Sequence, residues 1–466
     1  MIARKKIEDP NKKVKKTTTP KNKEIKKVAK SKEKTSKSKK APKLLRGMKD
    51  IQPKHGYLWQ KLYKTAEGIA DAYGFSFVET PILEEASLFV RSIGKGTDVV
   101  DKEMYIFEDR DGAKVCLRPE GTAAFARAYV NHGMLSMPQP VKAWYYGPMF
   151  RHDRPQAGRY RQFHQFSCES LGVRNPVVDA ELISVAYNFL KDLGVETQVR
   201  MNSIGSLEDR QRYIIELVGY LRSKRSQLSE VSKTRLTKNP LRILDSKDEG
   251  DIAVIEDAPQ ILDWLSEDSK KYFMEVLEYL DDASIPYSLD YTLVRGLDYY
   301  TDTVFELFAE NSDGQQSAIC GGGRYDMLVE QIGGQPTPGC GFSIGLERVL
   351  LSIHNNAEVE GLAMTQKKPT IFFAQLGEQA RKRTLTLIEE LRKKGIIVGH
   401  SLGKTALKAQ LEMANEYLTT HTVILGQKEL QDGTIIIRDM ESGIQEIIDQ
   451  KKLGNALQKI IDSQNK

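Results

Sequence analysis

Cysteine, tryptophan and long hydrophobic runs are scarce in this 466-residue chain. The cysteines form no Cys-x-x-Cys pair and lack the paired histidine spacing of a zinc site: Cys116, Cys168, Cys320 and Cys340. We therefore expect free thiols in a reducing cytoplasm, with no disulfide framework and no metal held by the protein itself. No run of 18 apolar residues occurs, so the sequence predicts no transmembrane helix and no membrane partner.

Large apolar residues are also rare in the first 43 residues. This segment holds 18 basic and 4 acidic residues, a net charge of +14, whereas the whole chain carries +6. The remainder is therefore mildly acidic, and a nucleic-acid surface on it must be a local patch. We expect a disordered Lys-rich tail at 1–43, without the apolar core of a secretory signal. A non-specific RNA-binding arm and a solvated extension without a specific task remain equally open interpretations.

What the chain does have is hydrophobic periodicity, over a length that allows about three domains. Helical spacing at Tyr57–Tyr73 precedes a strand pattern at Phe75–Val78, and 207–285 is mostly helical and charged. After Pro369, short apolar strands alternate with helices, which predicts a small α/β domain with a mixed or parallel sheet. Its strands are expected at Ile371–Gln375, Ile396–Gly399, Val423–Leu425 and Thr434–Ile437. Its helices are expected near Glu378–Lys394, Thr405–Leu418 and from Ile444 onward.

A β-hairpin is predicted at Val141–Phe150 and Arg161–Leu171. Guanidinium groups gather in the loop between the strands, and each planar fork can hold two oxygens of a polyphosphate or nucleic-acid backbone. Period two places five residues on one face of the second strand: Arg161, Phe163, Gln165, Ser167 and Glu169. A surface hairpin that is merely charged is the simple alternative. A polar binding floor fits better, because buried amide and carboxylate groups need partners.

Glu120 and Thr122 lie where regular structure breaks, between a short strand at Val115–Leu117 and a helix from Ala123 to about Val130. Thr122 could cap this helix, with Glu120 as a favourable charge near the helix dipole. Alternatively, both could receive an ammonium group, because Glu120 has the right charge and Thr122 has a spare acceptor.

Three later segments carry patterns that are weak signals when taken singly. Arg295 precedes Tyr299 and Tyr300 in a loop that leads to a predicted strand, where a tyrosine pair could simply pack with its hydroxyls outward. The triple glycine at 321–323 would let the backbone approach another group closely. A strand at Gly339–Ile344 leads into a helix that carries Arg348, which alone would be an ordinary exposed arginine.

Together these segments resemble the histidyl-tRNA synthetase family from about Leu45 to the C-terminal region. The hairpin resembles motif 2 of class II aminoacyl-tRNA synthetases in its wording, GPMFRHDRPQAGRYRQFHQFSCE. The segment LVRGLDYYT at 293–301 resembles a motif peculiar to histidyl-tRNA synthetases, and 339–348 resembles motif 3. The helix, strand and proline at 57–81 resemble motif 1, which implies a homodimer interface.

The resemblance implies an α+β fold. We expect a class II antiparallel-sheet catalytic core at 44–206 and 286–354, with a helical insertion at 207–285. A linker at 355–368 would join it to a C-terminal α/β anticodon-binding domain at 369–466. The implied enzyme is a histidine–tRNA ligase, which converts L-histidine and ATP to histidyl-adenylate and transfers the histidyl group to the 3′ end of tRNA(His).

The resemblance also implies roles for the arginines. Arg151 and Arg295 would flank the α-phosphate as catalytic groups that also contact histidine, while Arg348 would hold the far end of ATP. Arginine, together with Mg²⁺ brought by ATP, neutralises the charge that develops in such a reaction. The loop residues Gln156, Arg159 and Arg161 are candidates for contacts with the tRNA end.

The histidine pocket is implied by the same comparison. Glu120 and Thr122 would bind the amino group, which favours the ammonium interpretation above, and Gln165 would bind the backbone end. A neutral imidazole offers one donor and one acceptor, so Glu169 would accept and the Tyr300 hydroxyl would donate. Two further residues would line the same pocket: Gly121 and Tyr299.

Three alternatives compete with this interpretation. The regulatory subunit of ATP phosphoribosyltransferase usually lacks the anticodon-binding domain and degrades the ATP-binding arginines, whereas this chain keeps both. Another class IIa synthetase is disfavoured by Glu169 and by the segment from Arg295 to Tyr300. A pseudo-synthetase that serves as a regulatory or RNA-binding scaffold should have lost an arginine.

Overall fold

The computed structural model describes residues 41–94, 96–310, 316–355 and 369–464. The predicted tail at 1–43 and linker at 355–368 lie almost entirely outside these ranges. Of the helices within them, none is long and apolar enough to cross a membrane.

Most strands before residue 355 belong to one sheet. The strands there are β1 Ser76–Phe77, β2 Leu83–Glu85, β3 Ile106–Glu108, β4 Lys114–Leu117, β5 Val141–Phe150, β6 Gln162–Leu171, β7 Thr197–Ser203, β8 Tyr287–Leu289, β9 Thr301–Glu310, β10 Gln316–Arg324 and β11 Gly339–Gly345. The α-helices there are α1 Pro53–Ala72, α2 Ala86–Ile93, α3 Thr122–Asn131, α4 Pro176–Asp192, α5 Leu207–Ser223, α6 Glu230–Lys238, α7 Glu249–Ile255, α8 Glu267–Asp282, α9 Leu328–Gln331 and α10 Leu346–Asn355.

The large sheet has eight strands in the order β1-β5-β6-β11-β10-β9-β7-β8. The outermost pairs, β1 with β5 and β7 with β8, are parallel, and the neighbours between them are antiparallel. A separate antiparallel sheet has the order β2-β4-β3. The predicted antiparallel-sheet α+β fold is therefore confirmed.

The hairpin β5–β6 is the second and third strand of this sheet and is paired in unbroken register, from Val141 opposite Leu171 to Phe150 opposite Gln162. One face packs against α1 and α4, where Trp144 and Phe166 join the largest hydrophobic core. The other face belongs to a second core that includes helices α2, α3 and α5. Because apolar elements cover both faces, the polar residues of β6 are enclosed, as the sequence pattern predicts.

The triple glycine at 321–323 lies inside β10 rather than in a loop. A Cβ atom on Gly322 would come within 2.5 Å of the Gly341 carbonyl oxygen and of Phe305 Cζ. A Cβ on Gly321 would fall 2.2 Å from Nη2 of Arg295. The close approach expected from the glycines is therefore made by neighbouring strands and by an arginine.

The four cysteines are free and buried, and lie on β4, β6, β10 and β11: Cys116, Cys168, Cys320 and Cys340. Burial raises the pKa of each of these thiols.

The C-terminal region forms a five-stranded mixed sheet in the order β13-β12-β14-β15-β16. Its strands are β12 Ile371–Gln375, β13 Val398–His400, β14 His421–Leu425, β15 Thr434–Asp439 and β16 Gln445–Asp449. Its helices are α11 Glu378–Lys393, α12 Leu407–Glu416, α13 Gln427–Asp432 and α14 Leu453–Gln464. The predicted alternating α/β pattern is confirmed.

The helix predicted from Ile444 onward is wrong in its first part. The segment Gln445–Asp449 is instead the edge strand β16, and the last helix begins only at Leu453. Ile447 and Ile448 of β16 pair with Ile436 and Ile435 of β15. Pairing between β-branched residues on neighbouring strands therefore overrides the local helical pattern.

We expect Gly322→Ala to lower the free energy of unfolding by about 1–3 kcal/mol, because the new methyl overpacks the sheet. Gly219→Ala is the matched control in the exposed middle of α5, where no described atom lies within 4 Å of the added Cβ. There the substitution should stabilise by about 0.5–1 kcal/mol. Urea unfolding followed by circular dichroism measures both. Equal effects of the two variants would contradict the packing seen around β10.

Candidate active site

A cavity of about 550 Å³ opens over the centre of the large sheet. Its wall includes arginines from three distant segments and one arginine of the hairpin tip: Arg151, Arg295, Arg348 and Arg159. It also includes five of the residues predicted to bind histidine: Glu120, Thr122, Gln165, Tyr299 and Tyr300. Residues that are far apart in sequence thus converge, because β6, β10 and β11 are neighbours and the loop before β9 lies above them.

Four predicted residues lie outside the cavity wall. Gly121 lies directly behind it, and a Cβ there would meet the Tyr145 ring at 2.3 Å. Glu169 is fully buried. Gln156 is exposed in the tip of the hairpin loop, where it exchanges backbone hydrogen bonds with Arg159. Arg161 packs on Gly47 and donates to the Arg46 carbonyl oxygen at 3.4 Å.

Arg295 is held from below by Glu306 of β9, with which it forms an ion pair. Burial alone would lower the pKa of the Arg295 guanidinium, but the Glu306 carboxylate raises it above its ordinary value. Among the described residues, no acceptor bonds to the buried Nε of Arg295. A buried donor with no partner is costly, so this side of the guanidinium is suited to an anionic ligand.

Arg151 and Arg348 are anchored on backbone carbonyl oxygens. Arg151 Nε donates to Pro119 at 2.8 Å, and its guanidinium lies 5.4 Å from the centre of the Phe163 ring. Arg348 donates to the carbonyl oxygens of Ala318 and Gly158. Burial, followed by the charge of Arg159, lowers the pKa of Arg348. Carbonyl oxygens hold these two guanidinium groups in place without neutralising their charge. The cavity therefore favours the binding of a polyanion.

Glu120, rather than Thr122, caps helix α3. Its carboxylate accepts the backbone N–H groups of Thr122 at 2.6 Å and Ala123 at 3.0 Å, and the helix begins at Thr122 itself. The capping role considered for Thr122 is therefore wrong. Burial raises the pKa of Glu120, while the two N–H groups favour its charged form. Glu120 also lines the cavity, so its position is compatible with both capping and ligand binding.

Glu169 lies at the centre of a network of hydroxyl groups. Its Oε1 accepts from Thr122 Oγ1 at 2.7 Å and from the Tyr145 hydroxyl at 2.9 Å, and its Oε2 accepts from the Tyr325 hydroxyl. Burial raises the pKa of Glu169 to about 8, against the opposing effect of these three donors. Sequence reasoning missed Tyr145 and Tyr325. Tyr325 directly follows the glycine-rich segment, but a single tyrosine there gave no sign of a partner on β6.

The two predicted imidazole ligands differ in their access to the cavity. Tyr300 lines it and lies beside Arg295, whose guanidinium is 5.4 Å from the Tyr300 ring centre. Glu169 lies just beneath Gly341, which lines the cavity: a Cβ there would come within 1.7 Å of Glu169 Oε2. The absence of a side chain at Gly341 therefore brings the buried carboxylate close to the wall.

Comparisons with known proteins identify the family of both parts of the chain. A family model described as histidyl-tRNA synthetase matches residues 47–349, and one described as anticodon binding domain matches residues 366–460. The chain is 44% identical over 405 residues to a histidine–tRNA ligase of Dehalococcoides mccartyi, which covers 86% of this chain and 96% of the relative.

Solved structures give a consistent result. The chain is similar to the apo histidyl-tRNA synthetase of S. aureus, with a TM-score of 0.74, 33% identity and coverage of 89% of this chain and 99% of that one. A histidyl-tRNA synthetase from Nostoc sp. PCC 7120 has a TM-score of 0.60 at 20% identity, covering 90% and 99%. The second match bears on the fold alone.

We expect the stability of the folded chain to report the raised pKa of Glu169. Because the pKa rises from about 4.3 in the unfolded chain to about 8, stability is lost as pH increases between these values and is constant above them. Glu169→Gln resembles the protonated acid and does not titrate. Wild type should therefore lose stability relative to this variant, by at most about 1.4 kcal/mol per pH unit, from pH 5 to pH 8.

Urea unfolding at several pH values measures this difference. A difference between wild type and Glu169→Gln that does not change with pH, or that changes in the opposite direction, would contradict the burial of an ionisable carboxyl at this position.

Proposed function

The chain belongs to the histidyl-tRNA synthetase family and is a histidine–tRNA ligase, and we propose that the cavity of the candidate active site is where its reaction takes place. The enzyme activates L-histidine with ATP and transfers the histidyl group to tRNA. The observation that carries the assignment of the site is the convergence of Arg151, Arg295 and Arg348 on one cavity. Attack of a carboxylate on the α-phosphate brings two anions together, so fixed positive charge is what the reaction needs.

Arg295 is the proposed catalytic group at the α-phosphate. Its guanidinium is fixed by Glu306 and by the space over Gly321, and its Nε donor is left for the reacting anions. A donor that is already in place stabilises the developing charge without further reorganisation. Arg151 would contact the same phosphate and the histidine carboxylate from the hairpin side, and Arg348 would hold the far end of ATP.

Mg²⁺ would enter with ATP as part of the substrate. The cavity wall supplies carboxylate oxygens at Glu306 and Asp245, which are the ligand type that Mg²⁺ prefers beside phosphate oxygens and water. Within the described residues, no group of three or more His, Cys, Asp or Glu side chains is arranged to hold a metal ion. Mg²⁺ supplies charge neutralisation between the phosphates when it is bound.

Gln165 and Glu120 are the proposed binding groups for the histidine amino end. Gln165 lines the cavity, and its buried Oε1 accepts no hydrogen bond from any described residue. An ammonium group would satisfy this oxygen and would also complement the charge of Glu120. Thr122 would contribute through its position beside them.

Glu169 would select the imidazole from beneath Gly341. A carboxylate has about four acceptor sites, and three are used by Thr122, Tyr145 and Tyr325. In the ionised form of Glu169, the remaining site can accept an imidazole N–H, and Tyr300 would serve the other ring nitrogen. Tyr299 would complete the wall, with its ring 4.7 Å from that of Tyr300. An apolar competitor would leave these groups unpaired.

Recognition of tRNA(His) would involve the C-terminal domain and the hairpin tip. The family model for anticodon binding covers 366–460, which supports the proposed boundaries of 369–466 for that domain. The family match at 47–349 spans both the proposed catalytic core at 44–206 and 286–354 and the proposed helical insertion at 207–285. Gln156, Arg159 and Arg161 remain candidates for contacts with the tRNA end. We place the enzyme in the cytoplasm, where free thiols are stable.

A homodimer is supported by apolar side chains around the small sheet. Ile82, Leu83, Ile106 and Phe107 are 41%, 50%, 47% and 45% exposed, and Phe77 on the edge strand β1 is 52% exposed. Several exposed hydrophobic residues on adjoining elements are typical of an interface between proteins. We therefore propose that this surface, together with α1, meets a second copy of the chain.

Purified protein should catalyse exchange of pyrophosphate into ATP with histidine and with none of the other amino acids. Arg295→Ala should lower the rate about 100-fold to 1000-fold, because it removes a fixed donor at the charge that develops. Arg225→Ala changes an exposed arginine of the insertion and should leave the rate unchanged. Exchange that does not depend on histidine, or an active Arg295→Ala protein, would overturn the assignment of the site.

The dimer surface is tested by the mass of the protein in solution. Light scattering after gel filtration should give the mass of two 52.7 kDa chains for wild type and of one chain for Phe107→Asp, because a carboxylate is costly to bury in an apolar interface. Ile215→Asp changes a side chain on α5 that is 75% exposed, and it should remain dimeric. A dimeric Phe107→Asp protein would place the interface elsewhere.

A further inference from the structure

His164 and Glu347 form a pair at the edge of the active site that the proposed reaction does not use. Glu347 is in the first turn of α10, beside Arg348, and lines the cavity. His164 is on β6, two residues before Phe166 and therefore on the face that packs against α1. Its ring lies edge-on against Trp59 of α1, with 4.7 Å between ring centres. The two side chains are only 17% and 11% exposed.

The pair stands where the pairing between β6 and β11 ends. The last residues that face each other are Gly345 and Gln165, and α10 begins directly after Gly345. Strand β6 continues past this point, so the next N–H group on that side, at His164, needs an acceptor from elsewhere. The carboxylate of Glu347 supplies it, with Oε2 at 2.9 Å and Oε1 at 3.1 Å from the His164 nitrogen.

The imidazole adds a second, differently directed contact. Nδ1 of His164 lies 2.9 Å from Oε1 of Glu347. The ring donates here when Nδ1 carries the proton, and Trp59 restrains the ring so that Nδ1 faces the carboxylate. A carboxylate that is held by both a backbone N–H and a ring nitrogen is fixed in orientation as well as in position. Hydrogen bonds to a charged acceptor are also stronger than bonds between neutral groups.

Fixing Glu347 also fixes the direction of the next side chain. Successive residues of a helix are turned by about 100°, so anchoring Glu347 to β6 sets the rotation of the first turn of α10. Arg348 then projects across the cavity, where it reaches the carbonyl oxygens of Ala318 on β10 and Gly158 in the hairpin loop. Since the chain bends from strand to helix at this point, the backbone alone leaves that rotation poorly determined.

We infer that His164 and Glu347 are positioning residues for Arg348 and, through it, for the nucleotide. The inference rests on the proposed function, because it takes Arg348 to be the group that holds ATP. It assigns a role to a histidine on the far side of the sheet, which lies outside the cavity wall. Glu347 lines the wall and could also touch a ligand directly, so variants of His164 give the cleaner test.

The experiment measures KM for ATP, KM for histidine and kcat in pyrophosphate exchange. His164→Phe keeps a ring against Trp59 and removes the Nδ1 contact, whereas His164→Asn returns a donor near the position of Nδ1. We expect His164→Phe to raise KM for ATP about tenfold and to leave KM for histidine within about twofold. His164→Asn should recover most of the loss. His132→Phe, at an exposed position after α3, is the matched control and should resemble wild type.

A double-mutant cycle identifies the residue through which His164 acts. If His164 acts through Arg348, then His164→Phe should add little to the KM for ATP once Arg348→Ala is present. Additive effects, or an equal rise of both KM values, would overturn the inference. If Arg348→Ala alone leaves KM for ATP unchanged, the proposed role of Arg348 fails, and this result is distinct from failure of the pair.

Should His164→Phe fail to fold, Glu347→Gln provides the second test. It keeps an acceptor for the His164 N–H but weakens both contacts, so KM for ATP should again rise more than KM for histidine. A folded Glu347→Gln protein with an unchanged KM for ATP would overturn the inference, and a melting curve establishes that the variant is folded.

Discussion

A guanidinium group that is taken out of water must be paired, and the pairing of Arg295 constrains much of the surrounding sheet. Its partner Glu306 must point upward from β9, and β10 must carry glycine at 321 because a Cβ there would overlap the guanidinium. Removal of Glu306 would leave a largely buried charge without its partner, which is strongly destabilising, and a side chain at 321 would displace the guanidinium from that partner. Because Glu306 satisfies only part of the guanidinium, the charge remains available to a ligand, and the arrangement is prepared before ATP arrives.

The histidine side of the cavity depends on a different constraint, a carboxylate enclosed by neutral hydroxyl groups. Glu169 has no basic partner among the three groups that bond to it, so its charge is controlled by burial and by O–H donors alone. This suits a pocket for imidazole, since a nearby lysine or arginine would compete with the ligand for the carboxylate. Gly341 above it and Gly121 beside Tyr145 leave the space that this arrangement needs.

Sequence alone predicted most strands of the large sheet, and most of the predicted site residues lie in the cavity wall. Strand β5 was located at its observed ends, because alternation between two buried faces is a local pattern. The arginines and tyrosines were located through the resemblance to a family whose motifs they match. Tyr145 and Tyr325 were missed because their partner Glu169 is 24 and 156 residues away, respectively, and such pairing leaves no local trace.

The errors have the same origin. Strand β16 owes its conformation to β15, and the contact between His164 and Glu347 spans 183 residues, so neither is visible in a short window of sequence. The incorrect prediction of the α3 cap is the exception and has a different origin, because the groups involved are neighbours in sequence. The resemblance directed attention to ligand binding by Glu120, whereas the structure also gives its carboxylate to two backbone N–H groups, so one side chain organises a helix and faces the cavity.

The burial of all four cysteines has a consequence for how the protein meets electrophiles. Alkylating reagents and peroxide attack the thiolate form, and here every thiol is held in its neutral form behind packed strands. Labelling of these sulfur atoms therefore requires strands to separate first. The rate of labelling therefore measures how often the strands of the two N-terminal sheets separate, and the native cysteines serve as the reporters.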